Sequence, residues 1–147
     1  MTEPPRSSPP PGGAGPGPGP DRPGYSGEEE RTWALIAHFG GAIVAFLTGA
    51  TLGWVPPLIA YLAKGRESPT VRAHALTALN FQLLWSIISV AGWMLGTCGA
   101  VFVLGAIFFG VPIVATAVGT IFGIIAGVKA AEGEFYRYPL STTIIRR

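Results

Sequence analysis

Charge is what this sequence is shortest of. Asp, Glu, Lys and Arg make up 12% of the residues, about half the share of an ordinary soluble domain. The shortage is concentrated in two stretches. No Asp, Glu, Lys or Arg occurs from Thr32 to Ala63, and none from Ala73 to Val128. Uncharged runs longer than about 18 residues read as membrane helix. They also exclude an apolar soluble core, because 56 residues without charge leave no polar face for water. Cysteine is nearly absent. Cys98 stands alone, so no intrachain disulfide forms, and in its apolar stretch it reads as a small hydrophobe. A basic patch is also missing. The net charge is +2 and the basic residues do not cluster with aromatics, which excludes nucleic acid as a partner. The chain does not open with a basic region and an apolar core, so no cleavable signal peptide is expected, and the first membrane helix is expected to serve as the insertion signal.

Proline and glycine are plentiful instead, at one end. Nine prolines and six glycines fall in the first 24 positions, without a three-residue glycine period, which rules out collagen. Such a segment buries too little apolar area to offset its ordering entropy. The sequence therefore predicts a disordered tail over residues 1–27 and a membrane domain over 28–147. The tail is a solvated leader, or alternatively a ligand for a proline-reading partner.

The fold class expected for the remainder is all-α, a four-helix transmembrane bundle with helices near 29–48, 55–64, 69–96 and 101–131. Ser26 followed by Glu28, Glu29 and Glu30 suits the positive end of helix 1. The charge-free window from Thr32 to Ala63 is long for one span and short for two. It reads as a helical hairpin that turns at Gly49–Gly53, with Pro56 and Pro57 in the first turn of helix 2. Ser68 or Thr70 caps helix 3, and its first two turns, with Arg72 and His74, lie at the headgroup level. Gly96–Gly99 is the next turn. Pro112 predicts a kink in helix 4 near Phe108–Pro112, or a break at Gly110.

With a hairpin in 32–63, all ten Lys and Arg residues fall on one side of the membrane. Both termini are then cytoplasmic by the positive-inside rule, in a bacterial plasma membrane. A single span there would move Arg6, Arg22 and Arg31 to the other side. Trp33, Trp54, Phe135, Tyr136 and Tyr138 sit at predicted span ends, where amphipathic rings anchor depth.

Small residues recur at helical spacing. Ala115, Gly119, Gly123 and Gly127 form one row, Gly41, Ala45 and Gly49 another, and Gly92 and Gly96 a third. In lipid such rows let backbones approach. They pack the bundle internally, or one of them docks another subunit. The intramembrane polar residues are His38, His74, Asn80, Gln82, Ser86, Ser89, Thr116 and Thr120. Polar groups in lipid need partners, so these read as internal glue, or as the lining of a path for solute or ions. His38 and His74 meet if helices 1 and 3 pack. Two histidines with no intramembrane acid make neither a closed metal site nor a supported proton relay. Ser86 and Ser89 lie about 18 and 22 Å along the helix from His74. No nucleophile elbow or phosphate loop is present. No catalytic residue, metal or cofactor is expected.

Four segments together carry a family resemblance: Glu29-Glu30-Arg31-Thr32-Trp33-Ala34-Leu35-Ile36-Ala37-His38; Glu67-Ser68-Pro69-Thr70-Val71 leading to His74; Ala78-Leu79-Asn80-Phe81-Gln82; and Gly133-Glu134-Phe135-Tyr136-Arg137-Tyr138-Pro139-Leu140. They resemble a group of small bacterial four-helix membrane proteins of unknown function. That group is similar to the small four-helix (Tic-type) subunit of the chloroplast inner-envelope import translocon. The resemblance covers about 28–147 and implies four helices with both termini on one side, but no reaction. The expected function is a non-enzymatic membrane component in assembly or translocation. Its partners are the lipid bilayer and other membrane proteins or copies of itself. The alternative is an oligomeric conduit for small solutes or ions lined by His38, Asn80 and Gln82.

Overall fold

Three glutamates at positions 28–30 open the first helix, where carboxylates offset the partial positive charge of unpaired N–H groups. The Ser26 N–H, one residue ahead of the N-cap Gly27, donates to the Glu30 carboxylate at 2.9 Å and ties the entering chain to the first turn. The computed structural model describes residues 24–99 and 105–145. Among these the chain is all helix and irregular segment, without a strand. Most of the predicted 1–27 tail lies outside the described residues. Tyr25, at its end, donates its hydroxyl to the Ala130 carbonyl at 2.8 Å.

Helix α1 (Glu28–Leu35), a π-helical turn (Ile36–Gly40) and α2 (Gly41–Leu47) share right-handed backbone angles at their junctions and form one rod of ~30 Å. Helix α3 (Val55–Lys64) carries its prolines in the first turn and is only ~15 Å long. Helix α4 (Pro69–Gly99) follows. Ser68 caps it by accepting the Val71 N–H at 3.1 Å. A short turn α5 (Gly105–Phe108) precedes α6 (Gly110–Ala131).

Two expectations need correction. Gly96–Gly99 is not a turn, because α4 continues through it to Gly99. The last helix does not run unbroken from 101, of which 101–104 lie outside the described residues, and the alternative break at Gly110 is the one found. It restarts at Gly110, which places Pro112 in the first turn of α6, where a missing N–H leaves no bond unmade. Two helices, Pro69–Gly99 and Gly110–Ala131, are long and apolar enough to cross a membrane.

The interior is made of small residues. Ala34, Ala37, Ala45, Ala60, Ala75, Ala78, Ala115 and Ala126 are fully buried, around Phe81 and Leu79. Apart from Val71, Leu76, Leu79, Phe81 and Tyr138, most of the large aliphatic side chains point outward. Ile43, Phe46 and Leu47 on the rod, Ile87 and Met94 on α4, and Ile113 and Ile121 on α6 are all more than half exposed. A soluble bundle reverses this arrangement.

Backbone approach explains the small interior. A Cβ on Gly123 would come 2.8 Å from the Ala42 Cβ, and one on Gly127 would come 2.7 Å from the Phe39 ring. Gly92 gives way to Val111 and Pro112, and Gly96 to Phe109. The rod and α4 thus both press against α6 through positions that lack a side chain. Above Ser89, the glycines of α4 face only the α5–α6 region.

Candidate functional site

His38 sits in the middle of the π turn, just before the Gly40-Gly41 pair. A wider turn rotates the residues that follow it relative to those before, and such turns recur at functional sites. His38 is 1% exposed. Its Nδ1 lies 2.8 Å from the Tyr138 hydroxyl. Its Nε2 lies 3.1 Å from His74 Nδ1 on α4. The three side chains therefore form a single file: Tyr138, His38, His74.

Two neutral proton orders satisfy this file. In one, Tyr138 donates to His38 Nδ1, and His38 Nε2–H donates to His74 Nδ1, so His74 carries its proton on Nε2. In the other, His74 Nδ1–H donates to His38 Nε2, and His38 Nδ1–H donates to Tyr138. His74 Nε2 is then a bare lone pair. The two orders differ in which ring nitrogen carries each proton, and both leave the file without net charge. Both nitrogens of His38 are committed, so a metal on either would break a bond. Among the described residues no three His, Cys, Asp or Glu converge.

Tyr138 reaches the file by a turn of the chain. Helix α6 ends in a Schellman motif, with Gly133 at φ 80°. The Glu134 N–H bonds to the Lys129 carbonyl at 2.8 Å, and the Gly133 N–H to that of Ala130 at 3.0 Å. Residues 134–145 then fold back along α4. Tyr138 is not a depth anchor at a lipid-facing surface, as its place near a span end suggested. It is buried, stacked on Phe81 with ring centroids 4.1 Å apart. Phe135 stands edge-on to His74, and Tyr136 edge-on to Tyr138. Trp33 is half-buried against the same aromatic cluster. Trp54 donates to the Thr51 carbonyl at 3.1 Å.

Asn80 does not join the histidines. Its Oδ1 accepts the N–H groups of Ile144 and Ile145 at 2.9 and 2.6 Å, and its Nδ2 donates to the Ile145 carbonyl at 3.0 Å. It clamps the returning C-terminal segment to α4. Gln82 lies deeper, in a cradle made by Gly41, Gly53, Gly119 and Gly123. Its Nε2 donates to the Gly119 carbonyl at 3.2 Å. Its Oε1 is buried without a partner among the described residues, as are Trp85 Nε1 and Thr120 Oγ1. Thr116 donates to the Pro112 carbonyl at 2.7 Å within its own helix.

Ser86 and Ser89 secure the turn after the rod. Gly49 and Ala50 both adopt left-handed angles, φ 62° and 63°. The Ser86 hydroxyl donates to the Ala50 carbonyl and the Ser89 hydroxyl to that of Gly49, each at 2.5 Å. The Ala50 N–H returns to the Ala45 carbonyl at 2.7 Å. The Leu52 N–H reaches the Thr48 hydroxyl at 3.1 Å. A non-helical stretch inside the bundle thus finds protein partners for its polar groups.

The sequence placed His38 and His74 within possible reach of one another. It did not reveal Tyr138 as the third member, because nothing local to 134–140 encodes the return along α4. The π turn went unread as well, its only sequence trace being the Gly40-Gly41 pair.

Comparison with known proteins overturns one expectation and supplies another. A family model described as the magnetosome magnetite crystal formation protein family matches residues 29–145. No curated protein matches the chain, and no solved structure does. The resemblance to a Tic-type translocon subunit is therefore replaced: the quoted segments lie within the stretch that the crystal formation family accounts for. With the match running from the acidic start of the rod to the clamped C-terminal segment, this chain belongs to the MamF/MmsF family of magnetosome magnetite crystal formation proteins.

Proposed function

We propose that this chain is a non-catalytic component of the magnetosome membrane that supports magnetite crystal formation through helix association. The inside-out bundle is the observation that supports it most directly. Alanine, glycine and hydrogen-bonded amides and hydroxyls fill the centre, while Ile, Leu, Val, Phe and Met face outward. Only acyl chains solvate such an exterior favourably.

In this arrangement α4 and α6 cross the bilayer, and the rod and α3 form a re-entrant hairpin. The rod ends level with Ser89, which bonds to the turn at Gly49. Helix α4 continues to Gly99, ~15 Å farther along the axis. The chain then returns through 48–54 and α3, and Lys64 meets Glu29 near the start of the rod at 2.9 Å. Irregular backbone at membrane depth persists only where protein satisfies it, as Ser86 and Ser89 do here. The N-terminus, the 64–72 loop and the C-terminus then share the cytoplasmic side with the Lys and Arg residues. The membrane domain spans 28–147, and the preceding 1–27 segment meets it at Tyr25, which bonds to Ala130. The glycine rows serve packing within one chain, since each faces another helix of the same bundle. Packing is favoured over a conduit by His38 and Asn80, which bond within the protein, and by Gln82 Nε2, which bonds to Gly119, although Gln82 Oε1 has no partner among the described residues.

Deletion in a magnetite-forming host tests the functional assignment. Crystals measured by electron microscopy should differ in size or habit, and complementation should restore them. Unaltered crystals in the deletion strain would reject the assignment. Extraction by alkaline carbonate tests the membrane placement separately, since an integral protein stays with the pellet.

A further inference from the structure

We propose that a polar recess between α4 and the returning C-terminal segment binds a single phosphate group at the cytoplasmic membrane surface. The recess has a volume of about 280 Å³ and is lined by Thr77, Arg137, Ser141, Thr142 and Thr143, with Asn80, Phe135 and Tyr138 at its wall. That is at the lower edge of the size of small-molecule sites, suited to a headgroup-sized anion.

Its chemistry selects for an anion. Among the lining residues there is one guanidinium and no carboxylate. The nearby acids are occupied elsewhere: Lys129 pairs with Glu132 at 3.1 Å and with Glu134 at 3.0 Å. The wall groups are committed too, Asn80 to the backbone of Ile144 and Ile145 and Tyr138 to His38. Thr77 donates to the Ala73 carbonyl and offers its oxygen only. The donors that line the recess for a ligand are Arg137 and the hydroxyls of Ser141, Thr142 and Thr143. A planar fork with hydroxyls beside it matches phosphate oxygens.

Its depth favours a lipid as the source. This rests on the proposed arrangement: with the far surface of the bilayer at the Gly99 end of α4, a hydrocarbon thickness of about 30 Å down the axis reaches Leu79. Thr77 and Asn80 flank that level. Two apolar side chains of the same segment, Leu140 at 68% and Ile144 at 44%, stand exposed beside the polar recess. Leu140 is held outward by a left-handed backbone, φ 55°. Apolar prongs next to a cationic recess suit an amphiphile whose phosphate enters and whose chains stay outside.

The full chain in neutral detergent is incubated with phosphatidylglycerol, phosphatidylcholine or inorganic phosphate, and retention is read by native mass spectrometry. Phosphatidylglycerol should be retained over phosphatidylcholine, and Arg137→Gln should lower retention about tenfold or more. Arg137→Lys should restore it only in part, because the fork is lost. Thr142→Val should weaken it to a lesser degree. Retention of inorganic phosphate without phosphatidylglycerol, lost in the same variants, supports the phosphate site and identifies a soluble source. Equal loss in Arg66→Gln, a basic residue outside the recess, would show general charge attraction and overturn the site. So would unchanged retention in an Arg137→Gln protein with native circular dichroism.

Discussion

A cysteine moved to the hairpin turn reports how deep that turn lies. Thr51 is half-buried and donates to the Thr48 carbonyl at 2.8 Å, so a cysteine there is a small change. The turn is level with Ser89, whose hydroxyl holds the Gly49 carbonyl. From Ser89 to Cys98 α4 rises about 14 Å, nearly half of the hydrocarbon thickness. Cys98 is exposed at the far end of α4. In sealed vesicles with the far face outward, a membrane-impermeant maleimide should label Cys98 readily. It should label Thr51→Cys, in a Cys98→Ser background, at least tenfold more slowly, since a thiol in hydrocarbon neither ionises nor meets the reagent. A membrane-permeant maleimide should narrow the gap. Labelling of Thr51→Cys as fast as Cys98 would place the turn in water. The rod would then be a full span, and the re-entrant hairpin would be rejected.

Tyr138→Phe keeps the stack on Phe81 but strands His38 Nδ1 in the interior. Unfolding in mixed micelles should show a loss of about 1–3 kcal/mol, and a loss under 0.5 kcal/mol would mean that the bond contributes little. Burial also holds the Tyr138 phenol above its usual range, with Tyr136 adding to the effect. The folded state therefore keeps that proton longer than the unfolded chain. Its contribution is complete below about pH 10 and falls by about 1.4 kcal/mol per pH unit above it; the alkaline slope should shrink in Tyr138→Phe. Gly123→Val would drive a side chain into Ala42, at a cost of about 1–3 kcal/mol. Gly110→Ala, with nothing within 4 Å, should be neutral or stabilising by up to ~1 kcal/mol. Ser68→Ala removes the cap of α4 and the hydrogen bond to Glu30 that holds its carboxyl below the usual range. A cost of about 1 kcal/mol is expected in the same micelle titration, and a smaller acid-side loss of stability as pH falls through the Glu30 titration.

Uncharged runs were enough to show that the chain is helical and roughly where, because such runs leave few choices in lipid, but not where each helix ends. Pro56, Pro57 and Gly49 marked the hairpin, since φ restrictions act within one or two residues. Pro112 was harder. Its ring demands either a kink or a helix start, and the choice depends on Gly92 and Gly96, which let the start of α6 settle against α4. The three hydroxyl and amide partners of the backbone, Ser86, Ser89 and Asn80, were legible as polar groups needing something. What they needed was hidden, because each partner lies 36 or more positions away in the chain.

Composition and spacing thus carry the membrane reading: acyl chains tolerate an exterior of Ile, Leu and Phe, and glycine every fourth residue permits close helices whatever their order. The Tyr138–His38–His74 file and the polar recess that shares Tyr138 with it come only from assembly. Both require the segment after Gly133 to turn back and be clamped by Asn80, and a contact between distant positions leaves no period in the chain that makes it.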